Sequence, residues 1–429
     1  MFLDYWPSGE GLSNRAATCH AFSMSLCPSL MCGTFSLDFD SIIQLGQSGA
    51  MTASDIAALA IRLADSGRRL TWESGLPLVD LASTGGPGSL STLLTPLELR
   101  RLGCRVVKLS VPGRPAGAID VLGTIPGYAT RLDVSDVKRV LGRCGYVHFL
   151  ADEEFAPMDA ALFAYRREHG AIAVPALAAA SLLSKKLAVG VQVVGLDVRV
   201  GAHGNFGDTM DEARENARLF CGAARLVGVD ATAFLFEAGG AEQPWIGRGE
   251  ALAAMEQVLS GSADGKLGAH ATRCFSMAQE VARVAGILTM PDGGEGRPAI
   301  LEAHLEAQGS SLSAFRERVA SVTAAPHQPV LAETDGAMSV DLAILRDVLT
   351  GMQREVEARA TERGRFADPA GLVMRASHGN FVRGGDVLAE VRVAVGLSPE
   401  WRRRITTAFG VHPGTIRMPS DIPMETIRA

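Results

Sequence analysis

This 429-residue sequence has no run of eighteen or more apolar residues, no Cys-x-x-Cys pair and no excess of basic charge. The first absence excludes a membrane-spanning helix of ordinary length. The second, with an odd count of 7 cysteines, argues against a disulfide scaffold and for reduced thiols in a cytoplasmic protein. The third leaves 41 basic residues against 47 acidic ones, a formal charge of −6, and no global attraction to nucleic acid. Aromatics are only 6% of residues, without the stacking array of a single-strand binder. The opening stretch carries an acidic residue, Asp4, and lacks a basic segment before an apolar core, so it does not read as a secretion signal. Residues 1–32 read as a variable N-terminal extension that includes Cys19, Cys27 and Cys32; no metal is expected. The 9 histidines form no His-Glu-x-x-His, and neither a Walker A run nor a Gly-x-Gly-x-x-Gly fingerprint occurs. No Ser/His/Asp triad is discernible.

What is present is a globular composition, 47% apolar and 21% charged, with a length that calls for two or three domains. Residues 36–48 and 52–66 read as helices, the second capped by Thr52 with Asp55 three residues on and closed by Gly67. Short apolar strands (77–82, 105–110, 146–150, 193–201, 231–239) alternate with helical segments (134–144, 209–225, 249–259, 271–288). Such alternation predicts an α/β fold with a mostly parallel sheet. The stretch 157–187 interrupts it with helix alone, and "APHQP" (325–329) marks a boundary before a β-rich tail. The expected organisation is a small all-helical domain (33–76 and 157–188), a larger α/β phosphate-binding domain (77–156 and 189–324) and a small α+β C-terminal domain (330–429).

The segment "LASTGGPGSLSTLL" (81–94) follows a strand and precedes a helix. Its glycines let backbone amides approach a ligand, and Ser83, Thr84, Ser89, Ser91 and Thr92 bring hydroxyls. It is either an anion cradle or a tight turn, and it holds no cation of its own. In "YRREHGAIAVPALAAASLLSKKL", Ser181 and Lys185 are four apart and share a helix face. They either line a pocket or sit at a helix edge, with the lysine snorkelling to water. His169, near Arg166, and His203, in "GAHGNFGD", are candidates for proton transfer or ordinary surface residues.

Together, "STGGPG", "AIDVLGTIPGY", "APMDAALFAYRREHGAIAVPALAAASLLSKKLA", "DVRVGAHGNF" and "AETDGAMSVDLAILRDVL" resemble, in colinear order over roughly residues 36–400, the thymidine and pyrimidine-nucleoside phosphorylase family. That resemblance implies a cytoplasmic homodimer in which phosphate attacks the anomeric carbon of a pyrimidine nucleoside, releasing base and (deoxy)ribose 1-phosphate. It needs no cofactor beyond inorganic phosphate as co-substrate. It carries the base contacts to Arg166, Ser181 and Lys185, with Arg166, Lys185 and His169 as catalytic candidates. It carries the phosphate contacts to Ser83, Gly85, Gly86, Gly88, Ser91, Thr92 and Ser110. Where the family has a lysine and a histidine before the serine, this chain has Leu81 and Ala82; a family threonine is Ala118, and a later lysine is Arg199. Lys108 and Arg114 are the expected replacement cations. A nucleoside hydrolase, a transferase using another acceptor or a modified nucleoside, and a non-catalytic nucleoside-binding protein are the alternatives.

Overall fold

The structure is a computed structural model and describes residues 38–73, 75–113, 115–201, 206–237, 240–287, 295–359, 366–393, 398–416 and 424–429. Ser36–Ala429 hold together as one unit. The N-terminal extension with its three cysteines, Arg114 and His203 lie outside the described residues.

Asp38 caps α1 (Phe39–Gln47), and a reciprocal capping box of Thr52 and Asp55 starts α2 (Ala53–Ala64), as the sequence predicts. Gly67 does not close this helix, which already ends at Ala64. A Cβ there would sit 2.6 Å from the Glu154 carbonyl, so the glycine allows two backbones to pass closely.

The chain then alternates through β1 (Leu78–Ser83), α3 (Ser91–Arg101), β2 (Arg105–Ser110), α4 (Ala118–Leu122), α5 (Val134–Cys144) and β3 (Tyr146–Leu150). Two successive helices, α6 (Pro157–Glu168) and α7 (Pro175–Ala188), separate β3 from β4 (Val193–Val200), α8 (Met210–Leu226) and β5 (Asp230–Glu237). Next come β6 (Trp245–Ile246) and four helices, α9 (Arg248–Leu259), α10 (Gly265–Val284), α11 (Arg297–Ala307) and α12 (Leu312–Thr323). The tail holds β7 (His327–Leu331), β8 (Gly336–Val340), α13 (Leu342–Arg359), β9 (Ala370–Met374), β10 (Phe381–Val382), β11 (Val387–Val393), α14 (Pro399–Thr407), β12 (Phe409–His412) and β13 (Glu425–Arg428).

The main sheet has the order β13-β5-β4-β1-β2-β3. It is parallel except for β13, which runs antiparallel to β5. The fold is therefore α/β with a mostly parallel sheet, as expected. Both faces are covered, which a parallel sheet requires. Val147, Phe149 and Leu196 join residues of α2, α7 and α8 in one core, and Val106, Tyr146 and Phe234 join α3, α9 and α10 in another. Each fully buried leucine or phenylalanine there contributes about 1.5–3 kcal/mol. A third core lies among the tail elements.

The boundary expected at residue 330 is crossed in both directions. The C-terminal β13 covers the exposed edge of β5 in the main sheet, and β6 pairs with β9 in the tail sheet β6-β9-β11-β7. Sheet edges demand partners, and here each body supplies one to the other.

In the main sheet β2 and β3 lie to one side of β1, while β4 and β5 lie to the other. This reversal makes a crevice beyond the carboxyl ends of β1 and β4, where ligands bind in open parallel sheets.

Candidate active site

The glycine-rich segment leaves β1 at that crevice. Gly85, Gly86 and Gly88 have φ of +89°, +99° and +82°, which L side chains rarely adopt. Gly85 has open space where a Cβ would be, so its conformation alone requires glycine, whereas a Cβ on Gly88 would also meet the Ala241 Cβ at 2.9 Å. Gly88→Ala is expected to destabilise the protein by about 1–3 kcal/mol, read as a lower urea midpoint at unchanged slope; an unchanged midpoint would contradict this account of the turn.

The guanidinium of Arg199, on β4, collects the carbonyls of Gly85, Gly86 and Pro87. A trans peptide sets its N–H opposite its C=O, so the amides of Gly86 and Gly88 face away from that arginine. Arg199 thus organises the turn through its carbonyls. The turn borders a cavity of about 580 Å³.

Of the expected phosphate-side residues, Ser83, Gly85, Gly86, Gly88, Ser91, Thr92, Lys108 and Ser110 all line this cavity. Their hydroxyls are not equally available. Ser91 donates to Asp197 Oδ2 at 2.5 Å, so its proton is committed to a buried carboxylate whose pKa burial and Glu242 push up. The Thr92 hydroxyl makes no hydrogen bond among the described residues. Ser110 stands 2.9 Å from His148 Nε2, a Ser/His contact that the order of residues along the chain does not reveal. Ala82 and Ala118 also face the cavity, at the two places where the resembling family carries a histidine and a threonine.

Two lysines stand beside the strand that carries Leu81. Lys108, on β2, donates to Asp80 Oδ1 at 3.0 Å and to the Leu81 carbonyl, and Lys186, on α7, binds Asp80 Oδ2. Both lysines line the cavity, and they are 3% and 2% exposed. Two ammonium groups on one carboxylate leave a positive charge uncancelled in a desolvated wall, which favours an anion nearby. Burial lowers the Lys108 pKa, and Asp80 opposes that shift.

The expected base contacts lie at the same cavity. Arg166, Ser181 and Lys185 line the same cavity. Asp159 and Arg166 lie two turns apart on α6, hence on one face, and both are buried. Lys185 donates to Asp159 Oδ2 at 2.6 Å and to Ser181 Oγ at 2.9 Å. Burial lowers its pKa, with Asp159 opposing. Arg166 donates to the carbonyls of Ala171, Ile172 and Leu177, tying the end of α6 to the start of α7. Burial lowers its pKa to about 10. A guanidinium has five N–H groups, so three carbonyls leave donors for a ligand. Lys185 and Lys186 are adjacent on α7, where successive residues turn by about 100°; one therefore reaches Asp159 on α6 and the other Asp80 on β1.

His169 is not in the cavity wall. It is exposed at the end of α6, stacked on Tyr165 with ring centroids 3.9 Å apart, and its Nδ1 meets the Tyr165 carbonyl. The helix stops there, and the ring turns back along it rather than forward into the cleft. Residue order alone does not single out Lys186, Asp80 and Asp159. A lone aspartate inside the apolar strand "LVDLA" and a second lysine in an apolar helix were the available signals, since buried charges need partners. Among the described residues no cluster of three or more His, Cys, Asp or Glu could hold a metal, and no helix is long and apolar enough to cross a membrane.

Fold and cavity together define an α/β protein with an amide-and-hydroxyl turn and a cationic wall at the switch point of a parallel sheet. No model of a known protein family matches the chain. Over about half its length the chain is similar to proteins named thymidine phosphorylase. It is 34% identical over 189 residues to the one from Agrobacterium fabrum, covering 43% of each chain. It is 32% identical over 225 residues to the one from Sinorhizobium medicae, covering 49% of this chain and 50% of that one. For the relative from Burkholderia cenocepacia the figures are 30% over 216 residues, and 49% of each. The matches thus span about half the length of these relatives. A crystal structure of anthranilate phosphoribosyltransferase from Thermus thermophilus superposes with a TM-score of 0.44 at 15% identity, over 66% of this chain and 94% of that one.

Proposed function

We propose that this protein is a pentosyltransferase that splits a pyrimidine nucleoside by phosphorolysis, giving free base and (deoxy)ribose 1-phosphate. The observation that carries this reading is one cavity lined both by Arg166, Ser181 and Lys185 and by the glycine turn with Ser110, Lys108 and Lys186.

As the glycosidic C–N bond lengthens, the sugar gains positive charge and the departing pyrimidine negative charge. Arg166 and Lys185 offset the latter, and Ser181 fixes the register of the ring. The attacking anion is held by the turn amides, Thr92 and Ser110, with the shared Lys108–Lys186 charge compensating its own. Holding both partners in line converts a bimolecular encounter into an intramolecular attack. No protein nucleophile is required. The similar proteins are named thymidine phosphorylase, which supports the same reaction class.

The test is a panel of pyrimidine nucleosides incubated with pure protein, with and without phosphate, followed by assay of free base and sugar 1-phosphate. Phosphate-dependent formation of both products is expected. Equal base release without phosphate would replace the reading by hydrolysis, and saturable nucleoside binding without turnover would replace it by a binding role.

A further inference from the structure

Ser110 faces the cavity, yet what it offers a ligand depends on groups behind it. A serine hydroxyl has one proton and two lone pairs. If Ser110 gives its proton to His148, it presents only lone pairs to the cavity and repels an anion. If His148 gives a proton to Ser110, the hydroxyl proton is free to point inward. The histidine tautomer decides between the two.

The pairing of β2 with β3 sets Lys108 beside His148 and Val106 beside Tyr146. Strand alternation then puts Lys108, Ser110, Tyr146 and His148 on one face. His148 Nε2 lies 2.9 Å from Ser110 Oγ, and Nδ1 lies 3.4 Å from the Tyr146 hydroxyl. Both His148 and Tyr146 are buried. The hydrogen bond that the Tyr146 hydroxyl makes among the described residues is to this nitrogen. Burial drives the Tyr146 pKa well up, so the phenol keeps its proton. Burial, then Lys108 and His304, drive the His148 pKa well down, so the ring is neutral. A neutral ring has one bare nitrogen and one N–H. If Nδ1 carried the proton, it would face a phenol whose own proton then lacked an acceptor, at a cost of about 1–3 kcal/mol. With Nδ1 bare, the phenol donates to it, Nε2–H donates to Ser110 Oγ, and both ring nitrogens and the phenol are satisfied, leaving the Ser110 proton for the cavity.

We propose that Tyr146 and His148 form a positioning relay that fixes Ser110 as a hydrogen-bond donor toward an oxyanion acceptor in the cavity. The inference rests on the phosphorolysis reading for the identity of that anion, but not for the direction of the relay. His148 transfers no proton; it holds one in place.

Two measurements on the full chain test the relay. Nitrogen-15 spectra of histidine-labelled protein, with the His148 signals assigned by their loss in His148→Gln, report which ring nitrogen is protonated. Nε2 protonated and Nδ1 bare, unchanged between about pH 6 and 8, is expected; a proton on Nδ1 would overturn the proposal. Inorganic phosphate binding by calorimetry supplies the second readout. His148→Leu is expected to weaken it about tenfold while leaving nucleoside binding unchanged, and His148→Gln, whose amide can still donate, to recover most of the loss. In a Ser110→Ala background, His148→Leu should have no further effect on phosphate. An equal loss with and without Ser110 would show a merely structural role and overturn the relay. If wild-type protein binds no phosphate, the acceptor reading fails, and the tautomer alone decides the relay.

Discussion

Replacing Lys185 by alanine is expected to lower turnover by about 10²–10³-fold at saturating phosphate while leaving the phosphate concentration for half-saturation nearly unchanged. The ammonium is the cation nearest Ser181 on the side assigned to the departing base, held by Asp159 at 2.6 Å and by Ser181 Oγ at 2.9 Å. The same substitution strands Asp159, which is buried and already has one oxygen, Oδ1, without a partner. Breaking a buried pair from one side costs about 3–5 kcal/mol of stability. Catalytic and structural losses can therefore be separated. Lys185→Ala combined with Asp159→Asn removes the stranded charge, so denaturant unfolding should show most of the stability restored. Turnover should stay low. If the double variant regained activity along with stability, Lys185 would be a structural partner of Asp159 and no part of the chemistry.

The group of Lys108, Asp80 and Lys186 carries the second large effect, and it is non-additive. Lys108→Met leaves Asp80 paired with Lys186, and Lys186→Met leaves it paired with Lys108. Each single substitution removes the uncancelled charge and leaves an ion pair behind. We expect phosphate saturation to weaken by about tenfold to a hundredfold in each, with stability changed by only about 1 kcal/mol. Replacing both lysines leaves Asp80 buried without a cation, a cost of about 3–5 kcal/mol that exceeds the sum of the single effects. Phosphate titration and urea unfolding on the two single variants and the double variant complete a double-mutant cycle. Additive stability losses would show that the lysines do not share Asp80. Unchanged phosphate saturation in both singles would remove them from the anion site.

The two groups of lining residues differed in how far they could be read from residue order. Ser181 and Lys185 are one helical turn apart, and periodicity alone puts them on one face of α7. The glycine turn is equally local: three closely spaced glycines between an apolar strand and a helix mark a turn whose amides can approach a ligand. The counter-charge was not local. Lys108 is far along the chain from Lys186, and Asp80 joins them only because β1 and β2 are sheet neighbours with α7 packed close by. His169 shows the converse error. Its nearness to Arg166 in sequence suggested a shared pocket, but α6 ends there and the ring folds back on Tyr165. The crossing of β6 and β13 between the main and tail sheets was likewise out of reach, since edge pairing depends on which edges are left open.

By itself the sequence determined what depends on neighbours a few residues away: the capped helix at Thr52, the alternation of strand and helix, the glycine-rich turn and the shared face of Ser181 and Lys185. Only the tertiary structure decided how the buried charges pair, which hydroxyl protons are committed and which way Ser110 is turned. Those outcomes depend on desolvation and on contacts between strands and helices far apart in the chain. A lysine in an apolar segment says that a partner must exist, and the packing of the sheet says which one it is.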